Sequence, residues 1–333
     1  MSSPVLKVSD LTVEFWVDGV WYPAAIHVSF EVEAGKTLAI VGESGSGKST
    51  VAMSIMSLLA SNARVTGSIK VKDQEVLGAP TSLLQKYRGK EVAYIFQEPM
   101  TALNPVYTIG YQLAEVAELH LSLEGEAAWD RAAEALGSVG IPNATQRLHD
   151  YPHQLSGGMK QRVMIAMALM CEPDVLIADE PTTALDVTIQ AQVLELIKEL
   201  QHKKGTALLL ITHDMGVVAE MADEVIIMYA AQGVEHGSAS AIFRHPSHPY
   251  TKGLFNSRPA AQLRKGKLNS IKGSVPSFDH MPTGCRFHPR CPYAMDKCRH
   301  GDVPIFTINN TPSHWAKCWL YDESAESEAR KNE

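Results

Sequence analysis

The sequence predicts an α/β fold: a mainly parallel sheet with an antiparallel edge sheet, an inserted helical lobe and a loop-rich C-terminal appendage. Three observations predict it. Five short runs, at residues 37–41, 92–96, 175–178, 207–211 and 225–229, are apolar without polar alternation, as in strands buried on both faces. Helical stretches lie between them, at residues 49–60, 160–170 and 188–202, and such alternation builds parallel sheets. Residues 5–15 and 27–32 instead alternate apolar and polar side chains, which suits antiparallel edge strands.

The remaining segments follow in order. Residues 106–154 read as helix with no strand pattern, which makes them the inserted lobe. After residue 237 the composition shifts. His245-Pro246, His248-Pro249, Arg258-Pro259, Val275-Pro276 and Met281-Pro282 mark an extended, loop-rich region and not a second α/β domain. The expected division is therefore residues 1–237 for the main domain and 238–333 for the C-terminal region. The last twelve residues are charged and are expected to fray.

With 333 residues, 45% of them hydrophobic, the chain can bury a sizeable core, and disorder is excluded for most of it. A net charge of −7 argues against a nucleic-acid partner, which favours a basic face. No apolar run reaches the roughly 18 residues of a membrane span. The first residues lack the basic and apolar regions of a cleaved signal, so any membrane role is expected to be peripheral.

Chemistry enters at residues 42–49, which fit G-x-x-x-x-G-K-[ST] between a strand and a helix, the context this phosphate-binding motif requires. Gly42, Glu43, Ser44, Gly45, Ser46, Gly47, Lys48, Ser49 and the following Thr50 form the candidate cradle. Backbone N–H groups and a helix N-terminus would face phosphate oxygens, Lys48 would reach the β- and γ-phosphates, and Ser49 would ligate Mg²⁺. The strand at 175–178 runs into Asp179 and Glu180. Buried carboxylates need partners. Mg²⁺ supplies one for Asp179, and Glu180 is placed to polarise a water for attack on the γ-phosphate.

Many proteins share such a loop. The deciding segment is Leu155-Ser156-Gly157-Gly158-Met159, ahead of an apolar helix and about twenty residues before Asp179. It resembles the signature motif of ATP-binding-cassette (ABC) ATPases, and the implied fold is a P-loop ABC ATPase core. Other elements of that family follow in order. Gln97 is similar to the Q-loop glutamine, with Ser49 a contact for Mg²⁺. Thr183-Ala184-Leu185-Asp186 resembles the D-loop, and His213 the switch histidine. Phe15 is similar to the aromatic residue that stacks on adenine, with Trp16, Trp21 and Tyr22 as alternatives.

Residues 95–105, 151–162 and 179–190, with His245-Pro-Ser-His-Pro-Tyr-Thr251, resemble the oligopeptide/dipeptide/nickel importer branch, in its D-type subunit. The F-type partner more often has glutamine where this chain has Met159. Ala231 departs from the branch, which commonly has glycine there; a local packing change without loss of chemistry is expected. The resemblance implies a head-to-tail dimer with an F-type ATPase and two sandwiched ATP molecules, with Ser156, Gly157 and Gly158 serving the nucleotide of the other subunit. It further implies two transmembrane permeases, an extracytoplasmic substrate-binding protein and a peripheral position on the cytoplasmic face of the membrane. A nickel chelate or another small solute is the alternative cargo to peptides. Two rivals are weaker. ABC ATPases of DNA repair or translation usually carry two cassettes, coiled coils or basic arms, and a non-hydrolysing subunit would not need Glu180 and His213 intact.

Cys285, Cys291, Cys298 and Cys318 crowd the last fifth of the chain, while Cys171 stands alone. Four thiolates can bind tetrahedral Zn²⁺ or a four-iron–four-sulfur (4Fe–4S) cluster. The spacing lacks the paired C-x2-C knuckles of structural zinc sites, and in the resembled branch this pattern is associated with the iron–sulfur cluster. Zn²⁺ and metal-free cysteines remain alternatives, with His288, His300 and His314 as substitute ligands.

Overall fold

A computed structural model describes residues 3–97, 102–182, 187–256 and 271–322, without the side chains of 187–189 and 200. In chain order the strands are β1 (Leu6–Val17), β2 (Val20–Val32), β3 (Thr37–Val41), β4 (Ala63–Val71), β5 (Gln74–Glu75) and β6 (Val92–Ile95). They continue as β7 (Val175–Asp179), β8 (Ala207–Thr212), β9 (Glu224–Tyr229), β10 (Gln232–Ser238), β11 (Phe306–Ile308) and β12 (Thr311–Ala316). The sheet order is β5-β4-β1-β2-β10-β9-β3-β8-β7-β6.

The five expected parallel strands are β9, β3, β8, β7 and β6, paired side by side in parallel register. Every residue of β3, β7 and β8 is buried, which is why their sequences show no alternation. β1 pairs antiparallel with β2 through the two-residue turn Asp18-Gly19, both at positive φ, the tight hairpin geometry that matches strand twist. β4 pairs with the other edge of β1, and it escapes the sequence reading because Gly67 interrupts it and most of its residues stay partly or fully exposed.

One sheet face buries Leu38, Ile40, Ile177 and Leu209 against Val51 and Ile55 of the helix Lys48–Ile55. The other face buries Leu176, Ala178 and Leu210 in one cluster with Val163 and Ile165 of the helix Gly157–Leu169. That cluster continues into Ile109, Leu113, Ala132 and Leu136, from the helices Ile109–Leu121 and Glu126–Ser138 of the expected lobe. The helix that follows the Ser156 segment therefore joins lobe to sheet.

Beyond β10 come two short helices, Ala239–Arg244 and Pro249–Asn256, then 3-10 turns and the β11–β12 hairpin. This region packs onto the cassette: Tyr250 and Phe287 share a cluster with Ala39, Val41, Ile227 and Tyr229. β12 pairs with β10 at Glu235–Ala316 and His236–Trp315. Glu235, fully buried, accepts hydrogen bonds from the N–H groups of Ser247 and His248 and pairs with His314 Nε2 at 3.1 Å. Both of its carboxylate oxygens are thereby hydrogen-bonded, as a buried carboxylate requires.

Candidate functional site

The loop after β3 turns into the helix Lys48–Ile55 through Gly47, at φ +99°. A Cβ at Gly47 would lie 2.1 Å from the carbonyl oxygen of Ala24, and one at Gly42 would lie 2.2 Å from that of Met228, so both positions demand glycine. Lys48 is 6% exposed, and its ammonium donates to the carbonyls of Gly42 (2.9 Å) and Glu43 (3.0 Å). Burial lowers its pKa, opposed by the charges of Glu180, Asp179 and Glu43. Ser46 Oγ is buried with no hydrogen-bond partner.

Asp179 ends β7 beside this loop. Its Oδ2 accepts from the Tyr94 hydroxyl at 2.9 Å, and Ser49 also hydrogen-bonds the carboxylate. Oδ1 is buried without a partner. Desolvation raises the Asp179 pKa, against those two hydrogen bonds. A buried carboxylate with a spare oxygen next to a serine hydroxyl is an oxygen donor set that suits Mg²⁺.

Glu180 follows in the left-handed region, at φ +47°, which turns its side chain away from the strand's alternation. Gln97 Nε2 donates to Oε2 at 2.8 Å, and His213 Nδ1 lies 2.9 Å from Oε1. Glu180 is 12% exposed and His213 62%. Three residues read separately from the sequence thus meet at one carboxylate.

A cavity of about 510 Å³ opens beside the loop, lined by Ser44, Gly45, Gly47 and Thr50 at one part and by Phe15 and Tyr22 at another. Trp16 and Trp21 do not line it. They pack on each other at 5.2 Å, with Arg64 over Trp21 at 4.5 Å. Ala231, also on the lining, has φ +68°, the left-handed conformation that favours glycine. Its N–H donates to the Ser46 carbonyl, so its conformation bears on the loop.

Ser156 caps the helix Gly157–Leu169, accepting from Met159 N–H at 3.3 Å, and is exposed along with Gly157. Leu155 and Met159 pack into the lobe cluster. None of residues 155–159 lines the cavity at the phosphate loop. Asp186, with the rest of its motif, lies outside the described residues.

Two contacts from the C-terminal region to the phosphate loop escaped the sequence reading. Arg290 donates to Glu43 through Nη1 (2.6 Å) and Nη2 (3.2 Å), and the Tyr250 hydroxyl accepts from Glu43 N–H at 2.9 Å. The C-terminal region therefore grips the phosphate loop. Its only sequence signal was the His-Pro-Ser-His-Pro-Tyr segment around Tyr250, with no pointer to Glu43.

Cys285, Cys291, Cys298 and Cys318 converge on one small cavity, together with His248, His288 and Trp319. Cys285 N–H donates to the Cys298 carbonyl at 2.9 Å. Burial raises the pKa of Cys285 to about 11 and of Cys318 to about 12, so only a strong positive charge would hold them as thiolates at neutral pH. His248 Nε2 and Trp319 Nε1 are buried without partners. Of the histidines named as substitute ligands, His288 lines this cavity while His300 and His314 do not, and His314 pairs with Glu235. Among the described residues, no three His, Cys, Asp or Glu side chains are arranged to hold one metal ion.

Comparison with known proteins adds the following. A family model described as ABC transporter matches residues 26–183, and one described as oligopeptide/dipeptide transporter, C-terminal region, matches residues 234–298. The oligopeptide transport ATP-binding protein AppD of Bacillus subtilis is 51% identical, covering 96% of this chain and 98% of the relative. The oligopeptide transport ATP-binding protein OppD of Haemophilus influenzae is 46% identical over 96% and 98%. The dipeptide transport ATP-binding protein DppD of Bacillus subtilis is 49% identical over 97% and 96%. Among solved structures, a dimeric post-hydrolysis state of the ATP-binding cassette MJ0796 with ADP and phosphate superposes with a TM-score of 0.64. It is 26% identical and covers 70% of this chain and 98% of that one.

Proposed function

As the chain belongs to the ABC transporter ATP-binding family, in its oligopeptide/dipeptide branch, we propose that it hydrolyses ATP to power a peptide importer. The observation that carries the hydrolytic role is Glu180, whose carboxylate is held between Gln97 and His213 next to Asp179 and the phosphate loop.

Phosphoryl transfer asks a protein mainly for positioning and charge. The loop N–H groups and Lys48 bind and orient the phosphates. Ser49 and Asp179, with Gln97, would hold Mg²⁺, whose charge offsets that of the phosphates. Glu180 accepts a hydrogen bond from the attacking water and aligns it with the γ-phosphorus. His213, released from Glu180, contacts the γ-phosphate. Ser156 and Gly157, exposed at a helix N-terminus, serve a nucleotide bound by another subunit. Cleavage of the γ-phosphate removes the link between subunits and lets them part.

The finer partners follow the branch: an F-type ATPase, two permeases and an extracytoplasmic binding protein. Among the described residues, no helix is long and apolar enough to cross a membrane. We place the chain peripherally on the cytoplasmic face, held by the permeases. The four cysteines are read as ligands of a 4Fe–4S cluster. Convergence of the four thiols on one cavity supports it.

The test is uptake by vesicles carrying the assembled transporter and internal ATP. Labelled di- and oligopeptides should accumulate, and only when this chain is present. Accumulation of a nickel chelate without peptides would move the cargo to the alternative.

A further inference from the structure

The cavity at the phosphate loop has a wall the proposed chemistry does not use. Val275, Pro276, Ser277, Phe278 and Met281, all from the C-terminal region, line it alongside Phe15 and Tyr22. We propose that this strap is part of the base-binding site, with Phe278 and Met281 holding the base of ATP together with Phe15 and Tyr22. The inference rests on the reading of this cavity as the ATP site.

The lining of the cavity divides into two chemical parts, as a nucleotide does. Its polar part, at Ser44, Gly45, Gly47 and Thr50, faces the helix N-terminus and suits phosphate, while its other part is aromatic and aliphatic and suits a base. Phe278 stands edge-on to Tyr22 with ring centroids 5.1 Å apart, yet is 54% exposed. An aromatic ring left half in water at the rim of a pocket gains burial when a flat ligand covers it. The Met281 thioether adds a polarisable surface of the kind that packs well on aromatic rings.

The strap is held in place. Arg290 donates from Nε to the Lys272 carbonyl (3.0 Å) and from Nη2 to the Gly273 carbonyl (3.2 Å), while the same guanidinium grips Glu43 of the phosphate loop. One side chain thus fixes the distance between the root of the strap and the loop. Ile271, Val275 and Met281 pack against the cluster of Tyr229, Tyr250 and Phe287. His280 N–H donates to the Ser277 carbonyl at 3.0 Å, closing the turn that presents Phe278.

The wall carries aromatic side chains and no charged one, so it holds a base by stacking and tolerates any purine. The experiment is equilibrium binding of ATP, GTP and inorganic tripolyphosphate, each with Mg²⁺, to the purified full chain. Phe278→Ala should weaken ATP and GTP about tenfold, the scale of one lost base-stacking contact. Tripolyphosphate, which has no base, should bind unchanged, and Phe278→Tyr should restore ATP. Unchanged ATP affinity in Phe278→Ala/Met281→Ala would overturn the inference. Equal loss for ATP and tripolyphosphate would also overturn it, by showing an effect through the phosphate loop. Native protein that binds neither nucleotide would instead sink the underlying reading of the cavity.

Discussion

Arg290 and Glu43 are 247 positions apart, and a two-pronged ion pair at 2.6 and 3.2 Å joins them. One belongs to the cysteine-bearing C-terminal region, the other to the loop that would cradle phosphate. The Arg290 side chain is 6% exposed, so the pair is shielded on that side from the screening that makes surface ion pairs weak. The C-terminal region is therefore part of the nucleotide site's scaffold.

Removing the guanidinium should show this. Arg290→Ala loses charge-assisted bonds to Glu43 and bonds to two carbonyls, and should lower unfolding free energy by about 2 kcal/mol. Lysine should not restore it, because one ammonium cannot reproduce a planar fork. Denaturant unfolding measures the loss, and protease should cut faster near residues 271–281. Unchanged stability and cutting would mean the pair holds nothing.

The reach of sequence reasoning followed burial and distance. The strands β3, β7 and β8 were legible because they are buried throughout and apolar except for Thr37, Asp179 and Thr212 at their ends. β10 was not, since its sequence QGVEHGS carries a buried glutamate whose partners come from residues 247, 248 and 314. At the site, Lys48, Asp179, Glu180 and His213 stood in local motifs. Tyr94 looked like strand filler, yet its hydroxyl bonds Asp179. Arg290, Tyr250 and Phe278 reach the loop or its cavity only through the tertiary fold, which no local pattern encodes.

Ala231 stands where the resembled branch commonly has glycine. It holds φ +68°, which costs an L-residue roughly 1–2 kcal/mol. Glycine there relieves the strain but adds freedom to the unfolded chain. Ala231→Gly should leave stability equal or raise it by up to about 1 kcal/mol, whereas Ala231→Val should lower it. Melting temperatures of the three proteins decide this, and a clear loss in the glycine variant would contradict the strain.

The cysteine cavity gives a colour test. Protein purified without oxygen should be brown and contain about four irons per chain. Cys291→Ser should bleach it and loosen the C-terminal region. Colourless anaerobic protein with one zinc per chain would assign a structural zinc site, and ordered metal-free protein would remove the metal.

Ser156 should matter to the neighbouring subunit. Ser156→Arg places a bulky side chain at an exposed helix cap, so this chain should still bind ATP while the assembled pair fails to close and hydrolyse. Loss of ATP binding by the isolated variant would place Ser156 in its own chain's site.

Glu180 is proposed to activate the water that attacks ATP, and ATPase turnover of the assembled transporter with Glu180→Gln tests this directly. The substitution keeps size and hydrogen bonding but removes the negative charge that polarises water. Turnover should fall at least about a hundredfold, the scale of lost general-base catalysis, with ATP affinity unchanged. Full turnover in the variant would show that Glu180 does not activate the water.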